Sequence, residues 1–256
     1  MSTVIRSALP ATLAAILLNF APPVGAAEIK VLSAGAFKAV AVALAPAFEQ
    51  RTGHKVVIDN DTAGALAKRI EGGEAFDVLV APPGTIEALA KAGKVEAAAP
   101  TPLAKVAIGV AVKAGAPKPD IGSVAAFKQA LLDAKSVAYI DPAAGGSSGI
   151  YLTKLFETMG ITAQIKPKAV LVPGGLVATR VVSGEAELAI HQISEILPVQ
   201  GAVLVGPLPA EIQNYTVYAG AVSATPRDGA AARAFLAELA GAQARAVLDA
   251  RGMQAP

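Results

Sequence analysis

From Ile29 onward the chain repeats one unit, a short apolar run rich in β-formers followed by a helical stripe that a glycine stops. Residues 29–34 form the first run. The stripe Val40, Leu44, Phe48 follows at helical spacing and ends at Gly53. Residues 55–60 and 65–71 repeat the unit up to Gly72-Gly73, and residues 77–81 and 85–92 repeat it up to Gly93. Beyond residue 106 the same reading gives strands at 106–113, 136–140, 168–172, 187–191, 202–205 and 215–223. Helices are expected at 124–134, after the loop 141–148 as far as Met159, at 176–183 and 194–197, with two more closing the chain. Alternation of this kind predicts parallel sheet covered by helices on both faces. So many strands in 256 residues point to an α/β fold of two doubly wound lobes with a ligand cleft between them. The expected division is residues 28–107 with 216–256 in lobe 1, and 108–215 in lobe 2.

The residues before this pattern set the compartment. Arg6 is the only charge ahead of Glu28, an apolar block fills residues 8–21, and Val24-Gly25-Ala26-Ala27 supplies small residues before the polar turn at Glu28. That order reads as a signal peptide over residues 1–27, cleaved near Ala26 or Ala27, with export to the periplasm. Pro10, Pro22 and Pro23 interrupt the block, which is short of the ~20 residues needed for a membrane-spanning helix. With no cysteine, no disulfide framework can form, and stability must come from buried apolar area. A formal net charge of +2 leaves no basic stripe, so nucleic acid is not an expected partner.

Helix starts carry unpaired N–H groups and the positive end of the helix dipole, and an acid is the usual complement. Glu87, Asp120 and Asp228 are read as supplying it for three helices. Three others lack it. One follows Ser33-Ala34-Gly35-Ala36 and has Phe37 and Lys38 in its first turn; one begins at Thr62-Ala63-Gly64; one begins at Ser147-Ser148-Gly149. Each follows the C-terminal end of an expected parallel strand, where ligands bind in open α/β sheets. Small residues there let a ligand approach the backbone, and bare helix starts are anion sites. Ordinary capping by Ser or Thr would explain any one of these loops; three together favour a ligand cleft.

At these loops the chain resembles the periplasmic molybdate-binding family within the type II solute receptors of ABC importers. The resemblance rests on Lys30-Val31-Leu32-Ser33-Ala34-Gly35-Ala36, on Leu66-Ala67-Lys68-Arg69-Ile70 with Phe76-Asp77-Val78-Leu79-Val80, and on Asp141-Pro142 with Gly149-Ile150-Tyr151. Ser183-Gly184-Glu185-Ala186 before Ile190 completes it. It implies an extracytoplasmic substrate-binding protein that captures a small anion by hinge closure and serves a membrane permease, as a monomer without cofactor. The positions that correspond to the family's ligand residues are Ala36, Ala63 or Gly64, Ser148, Gly174 and Gln192. The family's serines at the first two and its tyrosine at the last are absent. That directs the expectation toward an oxyanion other than molybdate or an organic carboxylate, with Thr62, Lys38 and Gln192 as replacement donors.

Alternatives are a receptor of the same fold for a neutral solute or a sensory partner, and a serine hydrolase. Gly145-Gly146-Ser147-Ser148-Gly149 fits G-x-S-x-G between a strand and a helix. His191 is the only later histidine, and no aspartate lies between it and Ser147; Glu157, Glu185 or Glu187 would have to complete a triad. A glycine-rich loop matches that motif by chance, and no enzymatic activity is expected. His191 is read as a core or cleft residue and His54 as a surface one. Two distant histidines without cysteine predict no transition-metal site, and no phosphate-loop or dinucleotide fingerprint is present.

Overall fold

The computed structural model describes residues 25–256; the apolar block and the leader built on it lie outside the described residues. In chain order the elements are β1 (Glu28–Ala34), α1 (Gly35–Thr52), β2 (Lys55–Asp61), α2 (Ala63–Glu71), β3 (Val78–Ala81) and α3 (Pro83–Lys91). Next come β4 (Thr101–Lys113), α4 (Val124–Asp133), β5 (Val137–Ile140), α5 (Ser147–Thr158), α6 (Thr162–Ile165) and β6 (Ala169–Val172). The chain finishes with α7 (Thr179–Ser183), β7 (Leu188–Gln192), α8 (Ile193–Ile196), β8 (Ala202–Pro207), β9 (Tyr215–Val222), α9 (Gly229–Ala240) and α10 (Ala242–Ala250).

The strands run in the order β2-β1-β3-β9-β4-β7-β5-β6, with β8 also on β4. β1 pairs parallel with β2 and β3, and β5 parallel with β6 and β7. β9 is antiparallel to both β3 and β4, and β4 is antiparallel to β7 and β8. The sheet is therefore mixed where the alternation alone suggested parallel pairing throughout. The cause is the pair of long strands at the middle, β9, which returns late and slots between β3 and β4, and β4, which runs against β7, β8 and β9. Periodicity marks β9 as a strand and says nothing of the gap it fills.

β4 belongs to both halves of the molecule. Thr101–Ala107 pair with β9, and from Ile108 the same strand pairs with β7 and β8. Its first half was not legible as strand because Pro102 demotes such a run. The register shifts between Pro102 and Ala104, an irregularity where a missing N–H is tolerated. On one side of this crossover a single core gathers Phe37, Phe48, Leu66, Leu79, Leu89 and Phe235. On the other, Phe127, Leu131, Leu152 and Phe156 form one cluster on one sheet face, and Val172, Val177 and Val181 join another. Each fully buried side chain of this size contributes roughly 1.5–3 kcal/mol, which lets a chain without cross-links hold two lobes.

Two polar anchors tie distant segments of the first lobe. Asp77, almost fully buried, accepts from the backbone N–H groups of Lys30 and Arg227, each at 2.7 Å, and from Arg227 Nη2 at 2.8 Å. His54 is buried rather than on the surface: its Nδ1 accepts from Ala27 N at 3.1 Å and its ring lies against Phe48. Among the described residues no helix is long and apolar enough to cross a membrane.

Candidate functional site

The three bare helix starts converge. α1, α2 and α5 all lack an acid in the first turn, and their opening residues line one cleft between the lobes. Its wall includes Gly35, Ala36, Thr62, Ala63, Ser147, Ser148 and Gln192 from the expected set. Phe37 lies in the core behind it, in a tilted arrangement 6.3 Å from the Tyr218 ring. Lys38 is exposed and outside the wall. Gly174 also lies outside it, while its neighbour Gly175 lines the cleft. Gly149 is a packing residue: a Cβ there would stand 2.1 Å from the Ile140 carbonyl oxygen. Gly64 sits at the lip, where its N–H donates to the Gly145 carbonyl at 3.1 Å.

The contrast with acid-capped helices is narrower than the sequence suggested. Asp228 does cap α9, accepting from Ala230 and Ala231 N. Glu87 lies beyond the first turn of α3, and Asp120 turns back to Gly122 N while Ser123 caps α4. Asp120 is drawn into a local Asx turn, which competes with capping.

Polar groups in the cleft are of two kinds, satisfied and orphaned. The Thr62 hydroxyl accepts from Ala65 N and donates to the Ala144 carbonyl, so it caps α2 and crosses the cleft at once. Gln192 Nε2 donates to Thr216 Oγ1 at 3.4 Å. By contrast Ser148 Oγ and His191 Nδ1 are buried with no partner among the described residues. Buried polar atoms without partners are rare in folded proteins. Ser148 Oγ lies in the first turn of α5, on the cleft wall.

The residue that sequence reasoning missed is Glu195. It lies in the first turn of α8 and lines the cleft with His191 and Tyr218. Its Oε2 is 3.3 Å from His191 Nε2, and a Cβ on Gly35 would meet its Oε1 at 2.7 Å. The carboxyl thus rests against the start of α1 in a gap that only a glycine leaves open. Burial raises it to about 8, lowers His191 to about 3, and lifts the Tyr218 phenol well above its ordinary value, with Glu195's charge adding to the last. The signal was available: one acid inside the apolar run Ile193-Ser194-Glu195-Ile196-Leu197, four residues after a histidine. Asn60 and Asp61, at the end of β2, also reach the wall unannounced.

No described hydrogen bond joins Ser147 to His191, whose Nε2 faces Glu195 instead, so the G-x-S-x-G match assembles no triad. A larger groove of about 780 Å³ opens on the second lobe beside Lys113, Pro117, Gln129 and Leu188. Among the described residues it holds no orphaned polar atom, and the one helix start on its lining, that of α4, is capped by Ser123. The cleft itself encloses only about 30 Å³, room for a water or two.

Comparison with known proteins corrects one expectation and supports another. The chain is 36% identical over 251 residues, 94% of each chain, to a protein from Pseudomonas sp. named aconitate isomerase. That enzyme name, on a relative of nearly the same extent, overturns the expectation that the chain performs no chemistry. The fold matches the periplasmic molybdate-binding protein of Azotobacter vinelandii with a TM-score of 0.74 at 22% identity, covering 90% of this chain and all of that one. It matches the sulfate-binding protein SubI of Mycobacterium tuberculosis with a TM-score of 0.71 at 22% identity, over 90% and 87% of the two chains. The type II two-lobed α/β fold expected from the sequence is therefore present. Residues 29–254 match the family described as bacterial extracellular solute-binding protein, and the chain belongs to that family.

Proposed function

We propose that this protein takes a small unsaturated polycarboxylate between its lobes, outside the cytoplasmic membrane, and isomerises it by moving a proton between carbons. The observation that carries this is Glu195. A buried carboxyl whose proton affinity is raised toward neutrality, on the wall of a cleft lined by helix starts, is suited to take up and give back a proton. Aconitate, the compound in the name of the Pseudomonas relative, is propene-1,2,3-tricarboxylate, and its two geometric isomers cannot interconvert by rotation about the double bond. Loss of a proton from its methylene carbon gives a three-carbon carbanion stabilised by the flanking carboxylates. Return of that proton at the far end of the three-carbon unit re-forms the double bond one position along, with either geometry. The proton lost equals the proton gained, and neither water nor an oxidant is consumed.

In this reading the ionised form of Glu195, a minor fraction at neutral pH because burial raises the group to about 8, accepts the proton and returns it. Its raised proton affinity makes it a stronger base than an exposed glutamate. The starts of α1, α2 and α5, with Ser148 Oγ, hold the substrate carboxylates where charge accumulates, as fixed donors in a water-poor site do. His191 and Tyr218 border Glu195 and keep solvent from it. The lobes are residues 28–107 with 216–256 and 108–215, and motion about the β4–β9 crossing opens and closes the cleft.

The test is incubation of the purified protein with trans-aconitate in deuterated buffer, followed by proton NMR. The cis isomer should appear, with deuterium entering at carbon only as far as the proton held on Glu195 exchanges with solvent before its return, and Glu195→Gln should reduce the rate about 10²–10⁴-fold while aconitate still binds. Stoichiometric binding with no turnover would sink the catalytic reading. The family match favours a second use of the same cleft, delivery of the bound anion to the permease of an ABC importer; turnover separates the two.

A further inference from the structure

α8 is a single turn, Ile193–Ile196, and one turn does not hold its own shape in water. What seats it decides where Glu195 lies. Ile193 packs on the core of the first lobe and is gripped between two glycines. A Cβ on Gly109 would stand 2.8 Å from its Cγ1, and one on Gly252 would stand 2.8 Å from its Cγ2. Ile196 joins a cluster of the second lobe. Apolar burial of this kind holds the turn down without giving it a direction. The directional contact between α8 and α1 is polar: Ser194 Oγ, buried, donates to the Ala36 carbonyl at 3.1 Å, across 158 positions of sequence.

The adjoining rung carries the carboxyl. Ser194 meets Ala36 and Glu195 meets Gly35, so consecutive residues of α8 face consecutive residues of α1 in reverse order. A Cβ on Gly35 would stand 2.7 Å from Glu195 Oε1 and 3.7 Å from Oε2, so Oε1 is the oxygen turned to the start of α1. Oε2 is the one beside His191 Nε2, at 3.3 Å. Glutamate side chains have much rotational freedom to lose, and the spacing of α8 from α1 confines this one. We infer that Ser194 is a positioning residue: its bond to the Ala36 carbonyl sets that spacing and so holds Glu195 Oε1 against the helix start where the substrate lies. The catalytic half of this inference rests on the function proposed above; the seating of the carboxyl does not. Were Ser194 merely a satisfied buried hydroxyl, its loss would cost stability and leave the carboxyl where it is.

The experiment uses the full chain labelled with carbon-13 at the glutamate carboxyls, the Glu195 signal being the one lost in Glu195→Gln. The titratable groups around that carboxyl are His191 of β7 and Tyr218 of β9, with Asp61 of β2 on the same wall, and among the described residues no lysine or arginine lines it. Ser194→Ala alters none of them. Without ligand, the parent signal should titrate near 8. In Ser194→Ala, native by circular dichroism, the midpoint should fall to about 7 or below as the loosened carboxyl reaches water. Ser194→Thr, which keeps the hydroxyl, should restore it. Should the alanine variant not fold, Ser194→Cys, with a weaker donor in the same place, reads the same midpoint. With trans-aconitate, Ser194→Ala should lower kcat about 10–10²-fold, the effect of a small misplacement, and change KM no more than about twofold. A folded Ser194→Ala protein with the parent's midpoint overturns the inference. So does a folded Ser194→Thr protein that titrates like the alanine variant, or a loss confined to KM. A parent that never turns over aconitate counts against the proposed function, while the titration still decides whether Ser194 seats Glu195.

Discussion

Glu195 and His191 lie 3.3 Å apart, and burial moves their protonation in opposite directions. Glu195 rises from 4.5 to about 8 and His191 falls from 6.5 to about 3. Between pH 4.5 and 8 the folded protein keeps a proton on Glu195 that the unfolded chain releases, so this residue's contribution to stability falls as pH rises. Between pH 6.5 and 3 the unfolded chain takes up a proton on His191 that the folded protein refuses, so stability falls as pH drops. The two slopes oppose each other between 4.5 and 6.5, and above 6.5 only Glu195 acts. Stability of the ligand-free protein should therefore decline from pH 6.5 to 8 by on the order of 2 kcal/mol, and Glu195→Gln should flatten that limb. Urea unfolding at a series of pH values measures it; a limb equally steep in the variant would show that Glu195 is not its source. The small residues of the cleft loops were readable from sequence, because bare helix starts after strands leave a pattern. Glu195 left only a faint mark, one acid in an apolar run, and its place in the cleft comes from burial against Gly35, 160 positions earlier in the chain.

At the scale of elements, glycines in the same helical context divide by what surrounds them. Gly149, in the first turn of α5, faces the Ile140 carbonyl at 2.1 Å from where a Cβ would sit. Alanine there must push α5 off β5, at a cost of about 1–3 kcal/mol or more. Gly84, in the first turn of α3, has open space around that position, so Gly84→Ala should gain about 0.4–1 kcal/mol by restricting the unfolded chain. Denaturant midpoints of the two variants check both signs, and a neutral Gly149→Ala would mean that α5 is seated more loosely than its contact with β5 indicates. Sequence spacing placed α5 and the loop before it correctly, yet it assigned Gly149 to the ligand. A glycine that admits a ligand and one that admits a neighbouring carbonyl look alike until the neighbour is known. The late start assigned to β4 has a similar origin, since Pro102 reads as a break until the register shift beside it is seen.

For the whole molecule, the alternation of runs and stripes foretold two lobes and a cleft at the strand ends, because apolar periodicity reports which residues must be covered. It could not foretell that β9 returns between β3 and β4, since pairing partners leave no periodic mark. That return has a consequence for how the chain can be cut. Where the second lobe is proposed to begin and end, Ala107 and Tyr215 face each other as neighbours on antiparallel strands. The chain leaves the first lobe and re-enters it at a single rung, so the intervening residues form one loop grown to the size of a lobe. Replacing residues 108–214 with a two-residue Asn-Gly turn, the usual closure of an antiparallel hairpin, should leave a miniature protein that keeps the core of Phe37, Phe48 and Phe235. Amide exchange and thermal melting of that miniature would show whether it folds alone. If it does, the second lobe is a passenger on a self-sufficient host, and lobes of other shapes could be spliced in at the same rung.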